Sequence, residues 1–181
     1  MKNSQNQGFD QHYNAQVLVG HESRLILATS LSNHPNDQRD ALPTVDALDP
    51  QLSRPQRLAL DNGYFSQSNI DGLLSRNIDP YIATGRQPHH QSWAALLESL
   101  GEPPADDASA QVKMAYKLKT EAGKAMYRLR KCTVEPVIGI IKEVMGFRQF
   151  SLRGIEQAEG EWVLVCLAYN LKRLNVLISP S

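Results

Sequence analysis

The 181-residue chain is expected to fold as an α/β domain, a mixed sheet flanked by helices, with a helical C-terminal half. Three observations predict this. Short runs rich in β-branched and apolar residues fall within the first 84 residues, apolar residues at helical spacing dominate from 110 to 181, and a Pro-rich, acidic stretch from 85 to 109 separates the two. The organisation is therefore one domain in three parts: 1–84 strand-rich, 85–109 an inserted loop, and 110–181 helical. With 41% hydrophobic and 21% charged residues, the chain has enough apolar material for one ordinary core.

The strand signals come first. "YNAQVLV" (Tyr13 to Val19) and "LILATSL" (Leu25 to Leu31) are joined by the polar "GHESR", which reads as a hairpin. The loop "SNHPNDQRD" leads into a helix around Ala41 to Leu48. Arg57 to Leu60 reads as a short buried strand, Asn62-Gly63 as a turn, and Ser66 or Ser68 as the N-cap of a helix running to about Arg76. "DPYIA" follows as another strand, because the residue before Pro80 is held extended and Tyr81-Ile82 suit a buried pleat. Within the inserted loop only "SWAALLESL" has a helical pattern. Helices are then expected over Ala110 to Lys131, Val134 to Val144 and Glu156 to Leu177.

Composition narrows the function. The longest apolar run, near Trp162 to Tyr169, is far short of the roughly 20 residues that span a bilayer, and the start "MKNSQNQGFDQ" has no apolar signal core, so a cytoplasmic protein is expected. Cys132 and Cys166 lack Cys-x-x-Cys spacing and read as buried packing residues. The side chains of adjacent His89 and His90 are expected to diverge, which disfavours a metal pair, and neither a Gly-x-x-x-x-Gly-Lys loop nor a Gly-x-Ser-x-Gly elbow occurs. Trp162 and Tyr169 read as core.

Zero net charge hides a division along the chain. Residues 1 to 110 carry 7 Lys/Arg against 13 Asp/Glu, whereas 111 to 150 carry 9 against 3, so the second segment favours a polyanion. At about 100° per residue, Lys113, Lys117, Lys124, Arg128 and Lys131 fall on one face, and Met114, Leu118, Ala122, Ala125, Met126 and Leu129 on the other. That stripe is either a solvated lysine face or a phosphate-contacting surface; five like charges on one stripe point to phosphate.

Two acids stand out. Asp61 closes an apolar run before a turn, and either holds a metal or caps the turn. Glu135 stands beside Pro136, which suits only a first helical turn, so Thr133 is expected to N-cap a new helix with Lys142 two turns on. Glu135 there either favours the helix N-terminus electrostatically or acts as a ligand.

Together the ordered pieces "GFDQHYNAQVLV", Asn36-Asp37, "LALDNGYFS", "YIATGRQ", "YRLRKCTVEPVIGIIKEVMGFRQFSLRG" and "GEWVLVCLAYNLKRL" resemble the C-terminal part of bacterial insertion-sequence transposases of the DDE type, over nearly the whole chain. The resemblance implies a ribonuclease H-like core and DNA as partner. It makes Asp61 the second metal-binding acid and Glu135 the third, with Tyr127, Arg130 and Lys142 in the accompanying helix motif; Arg130 is followed by four residues before Glu135 where the family has three, so Lys131 is the alternative basic partner. The implied cofactor is Mg2+ or Mn2+, since hard divalent ions prefer carboxylate oxygen and a pair of them about 4 Å apart serves strand cleavage and transfer. The family's first acid lies on a strand preceding "YNAQ", upstream of Met1. Asp10 does not match it, and Asp37 resembles the family's Asn-Asp pair without being assigned as a ligand. The expectation is thus an N-terminally truncated transposase, its sheet short of a strand, inactive alone and prone to homo-oligomerise. The alternative is a catalytically dead remnant that still binds DNA.

Overall fold

The computed structural model describes residues 12–85 and 101–179; Asp10, His89, His90 and the expected helical piece at 92–100 lie outside them. In chain order the elements are β1 (Asn14–Val19), β2 (Ile26–Ser32), α1 (Ala41–Asp46), β3 (Arg57–Leu60), α2 (Gln67–Leu74), β4 (Asp79–Ile82), α3 (Ala110–Lys119), α4 (Glu121–Gly139) and α5 (Ile155–Ile178). Short 3-10 turns cover Asp37–Arg39 and Asn62–Tyr64, and a π-helical segment covers Ile140–Val144. The chain divides into two compact units, one from residues 1–54 and 131–181, the other from 55–130.

The expected single mixed sheet is not formed among the described residues. β1 and β2 pair antiparallel in the first unit, and β3 and β4 pair parallel in the second. At the edge of β2 the Asn170 amide accepts from the Ile26 N–H and donates to the Ile26 carbonyl, both at 2.8 Å, as a neighbouring strand would.

The first unit is built on α5 lying against the hairpin. Ala158, Trp162, Cys166 and Tyr169 recur on one helical face and pack with Ile26, Leu31, Val137 and Ile141. Four side chains of α5 also bond hairpin backbone: besides Asn170, Trp162 Nε1 donates to the Gln16 carbonyl, Tyr169 to that of Arg24 and Arg173 to that of Ser23. Arg24 has a left-handed φ of 56°, which turns the chain between the strands.

A polar network backs the same hairpin. Asp40, 3% exposed, accepts from Asn14 Nδ2 at 3.0 Å and Ser32 Oγ at 2.9 Å and pairs with His34 Nδ1 at 2.6 Å. Asp37 accepts from Asn14 and Gln16. Both acids thus have structural partners within the first unit. Asp40→Ala removes the acceptor of several part-buried donors and is expected to cost about 2 kcal/mol in urea unfolding.

Cys166 is buried, as expected, and burial pushes its thiol up to about 11. Cys132, expected to be buried, is exposed: it projects from the solvent side of α4, whose buried side carries Thr133 and Val137. A disulfide-exchange thiol reagent at pH 8 should therefore titrate one cysteine in the native protein and two after unfolding. Burial also raises the phenols of Tyr81 and Tyr169. All three groups bind their proton more tightly when folded. Their stabilisation is complete below about pH 9 and lost as pH rises beyond it, so urea midpoints should fall between pH 9 and 11.

The second unit follows the sequence reading closely. Ser66, not Ser68, caps α2 by accepting from Asn69 N–H. Asn77, at φ 59°, ends it in a left-handed turn in which Ile78 N–H returns to the Leu73 carbonyl. Leu73, Ile78 and Ile82 are fully buried. β3, expected to be a buried strand, is only partly buried.

Two helix expectations are corrected. The helix expected over Ala110 to Lys131 breaks at Thr120, whose extended backbone ends α3 while its hydroxyl accepts from Gly123 N–H and caps α4. Conversely, no new helix starts at Thr133: α4 runs unbroken from Glu121 through Pro136 to Gly139. Pro136 removes a helical hydrogen bond, but Thr133, Val137 and Ile141 are buried on one side of the chain and outweigh it. Beyond Gly139 the helix widens into the π segment, where Met145 N–H bonds back five residues to Ile140.

Candidate active site

Asp61 follows the last residue of β3, at the carboxyl end of the parallel pair. Open α/β sheets place ligands at that end of their strands. One carboxylate oxygen, Oδ1, accepts from Asn62 N–H at 2.7 Å and starts the 3-10 turn; the other, Oδ2, faces Arg130 Nη1 at 3.5 Å. The Asp61 side chain is 59% exposed and that of Arg130 only 14%. Arg130 also lies 5.1 Å from the centre of the Tyr127 ring, one turn earlier on α4. Asp61, Tyr127 and Arg130 therefore form one cluster in the second unit. Asp61 does cap the turn, and it pairs with the Arg130 guanidinium as well.

Glu135 lies on the part of α4 that belongs to the first unit, and its side chain is exposed. It sits well inside the helix, not in a first turn, so the helix N-terminus does not account for it. Lys142 is exposed within the π segment. The spacing from Glu135 to Lys142 is thus not two regular α turns.

The cationic stripe is divided by the break at Thr120. Lys113 and Lys117 stay on α3; Lys124, Arg128 and Lys131 are on α4. Lys117 is half-buried and engaged: it pairs with Asp79, donates to the Pro80 carbonyl at 2.8 Å and lies 4.2 Å over the Tyr81 ring. Lys113 donates to the Asp106 carbonyl. Lys124 pairs with Glu121 at 3.1 Å, an i,i+3 partner within the first turn of α4. Lys113, Lys124 and Arg128 remain exposed.

A family model described as a transposase DDE domain matches residues 2–171. The chain belongs to the DDE transposases. No curated protein and no solved structure matches it. Membership makes DNA the substrate to consider and divalent metal the usual cofactor. As donors, the transposase's Asp61 and Glu135 carry the hard carboxylate oxygens that Mg2+ or Mn2+ prefers, and Asp61 already faces a positive group. Among the described residues, no three His, Cys, Asp or Glu side chains stand close enough to hold a metal ion. No helix among them is long and apolar enough to cross a membrane.

Two features of the transposase escaped the sequence reading. The Arg130 pairing with Asp61 was concealed because Arg130 was assigned toward Glu135, although its i,i+3 relation to Tyr127 was legible. Buried Asp40 had only its neighbour Asp37 to mark it, and a polar loop gives no sign of which acid turns inward.

Proposed function

We propose that this transposase carries the strand-cleavage and strand-transfer chemistry of DNA transposition on a ribonuclease H-like core, with Asp61 and Glu135 as metal-holding acids. The observation that supports it most is the placement of Asp61: an exposed carboxylate at the carboxyl end of a parallel strand, backed by Arg130 and Tyr127. A divalent metal held by these acids would supply activation of water or a 3′-hydroxyl and stabilisation of the leaving oxygen. The chain's own residues bind and orient. Arg130, planar and held against Tyr127, is suited to a scissile or flanking phosphate, and Lys113, Lys117, Lys124, Arg128, Lys131 and Lys142 supply backbone contacts that carry affinity without sequence preference.

A second reading, DNA binding without cleavage, is favoured by the Arg130 guanidinium opposite Asp61. Nicking of supercoiled plasmid in Mg2+ or Mn2+ decides between them. Nicking abolished in Asp61→Asn and in Glu135→Gln supports the catalytic reading; salt-sensitive binding without nicking supports the second; absence of both sinks each. Under either, Lys124→Ala and Arg128→Ala should each reduce the slope of log K against log salt by about 1.

A further inference from the structure

We propose that the outer face of α5 is a self-association surface, on which a second copy of this chain docks with its own α5 running antiparallel. The face opposite Trp162 and Tyr169 carries Leu164, Leu167, Leu171, Leu174 and Ile178, spaced four and three residues apart in alternation, and their exposures run from 41 to 77%. That spacing is the seam of a two-stranded coiled coil. A helix apolar on both faces is normally covered on both. Here only the hairpin side is covered within the described residues of this unit.

Three observations select a second copy as the occupant. First, the seam bears no Asp, Glu, Lys or Arg between Trp162 and Leu171 or beyond Arg173, so it is complementary to itself and not to a charged partner. Second, the area suffices. At roughly 100 Å² for each large apolar side chain, the five seam residues with Leu152 and Val163 beside them supply about 700 Å² per copy, close to the roughly 800 Å² of a stable interface. Third, the seam has a hole and a knob. Gly160 continues the line one step before Leu164 and leaves an open hollow lined by Leu152, Val163 and Leu164 and also by Glu156, Glu159 and Glu161, while Ile178 at the other end is the most exposed of the set.

These features fix the direction. Two antiparallel helices crossing opposite Tyr169 place Ile178 over Gly160, Leu174 over Leu164 and Leu171 over Leu167. A parallel pair would set Gly160 against Gly160, leaving a void, and would bring Glu156, Glu159 and Glu161 of both copies to the same end. Antiparallel helices also oppose their dipoles favourably.

The test uses the full chain. Sedimentation equilibrium should give twice the 20.2-kDa chain mass, and Leu167→Glu/Leu171→Glu should sediment as a monomer with an unchanged far-ultraviolet circular dichroism spectrum. Direction is read by oxidising a mixture of Leu164→Cys and Leu174→Cys chains, each also carrying Cys132→Ser. A disulfide-linked heterodimer is expected from the mixture, and none from Leu164→Cys alone. A monomeric wild type, or a dimer that survives the double glutamate variant, overturns the proposal; a Leu164→Cys homodimer overturns the antiparallel arrangement. These readouts are independent of nicking, so failure of one leaves the other standing.

Discussion

Trp162→Ala is expected to lower the stability of the first unit by about 4 kcal/mol, measured as the shift in urea unfolding. Trp162 is 4% exposed and stands in a cluster of rings, with Phe147 6.0 Å and Phe150 6.3 Å away; Phe150 in turn meets Tyr13 edge-on at 5.3 Å. Its removal takes away apolar burial, leaves a cavity no single neighbour can fill, and deprives the Gln16 carbonyl of its indole donor. Trp162→Phe keeps most of the packing and loses the hydrogen bond, so about 1 to 2 kcal/mol is expected. Equal losses in the two variants would mean that the indole N–H, not the ring, holds α5 to the hairpin.

Gly123→Ala should cost about 3 kcal/mol, although helix propensity alone favours the change by about 1 kcal/mol. A Cβ at Gly123 would lie 2.1 Å from the Lys117 carbonyl oxygen and 2.6 Å from Leu118 Cα. Both are backbone atoms, so no side-chain rotation relieves the contact. The corner between α3 and α4 would have to open. Gly139→Ala provides the control, because nothing lies within 4 Å of the added atom and the same propensity term is then unopposed. It should be neutral or stabilising by up to about 1 kcal/mol. If both substitutions stabilise, the tight corner does not exist.

Local signals in the sequence were reliable where the chain decides its conformation within a few residues. The β1–β2 hairpin, the Ser66 cap, the strand over Arg57–Leu60 and α5 were all legible to within a residue or two, and the core face of α5 followed from Trp162 and Tyr169. The helix breaks were not. Thr120 carries an ordinary capping signal, but five cationic residues in phase across it suggested one continuous face. Pro136 carries a strong stop signal, yet Val137 and Ile141, pulled into the core, keep the helix going through it. For the candidate site, the residue type and strand-end position of Asp61 were readable from "LALDNGYFS". Its partner Arg130, 69 positions later, was not, because a long-range ion pair leaves no periodicity in either segment.

The division of the chain has a consequence for how it acquires its structure. The first unit is assembled from two distant stretches, and the bond from Trp162 to Gln16 joins residues 146 positions apart. Closing a loop of that length costs about 2 kcal/mol more in chain entropy than closing one of ten residues. The intervening unit, by contrast, uses one continuous stretch from 55 to 130. During synthesis that middle stretch leaves the ribosome complete, while β1 and β2 must wait with one side bare until α5 is made. Nascent chains are therefore vulnerable to aggregation at the hairpin, which emerges before the middle unit and is covered only once α5 has followed it.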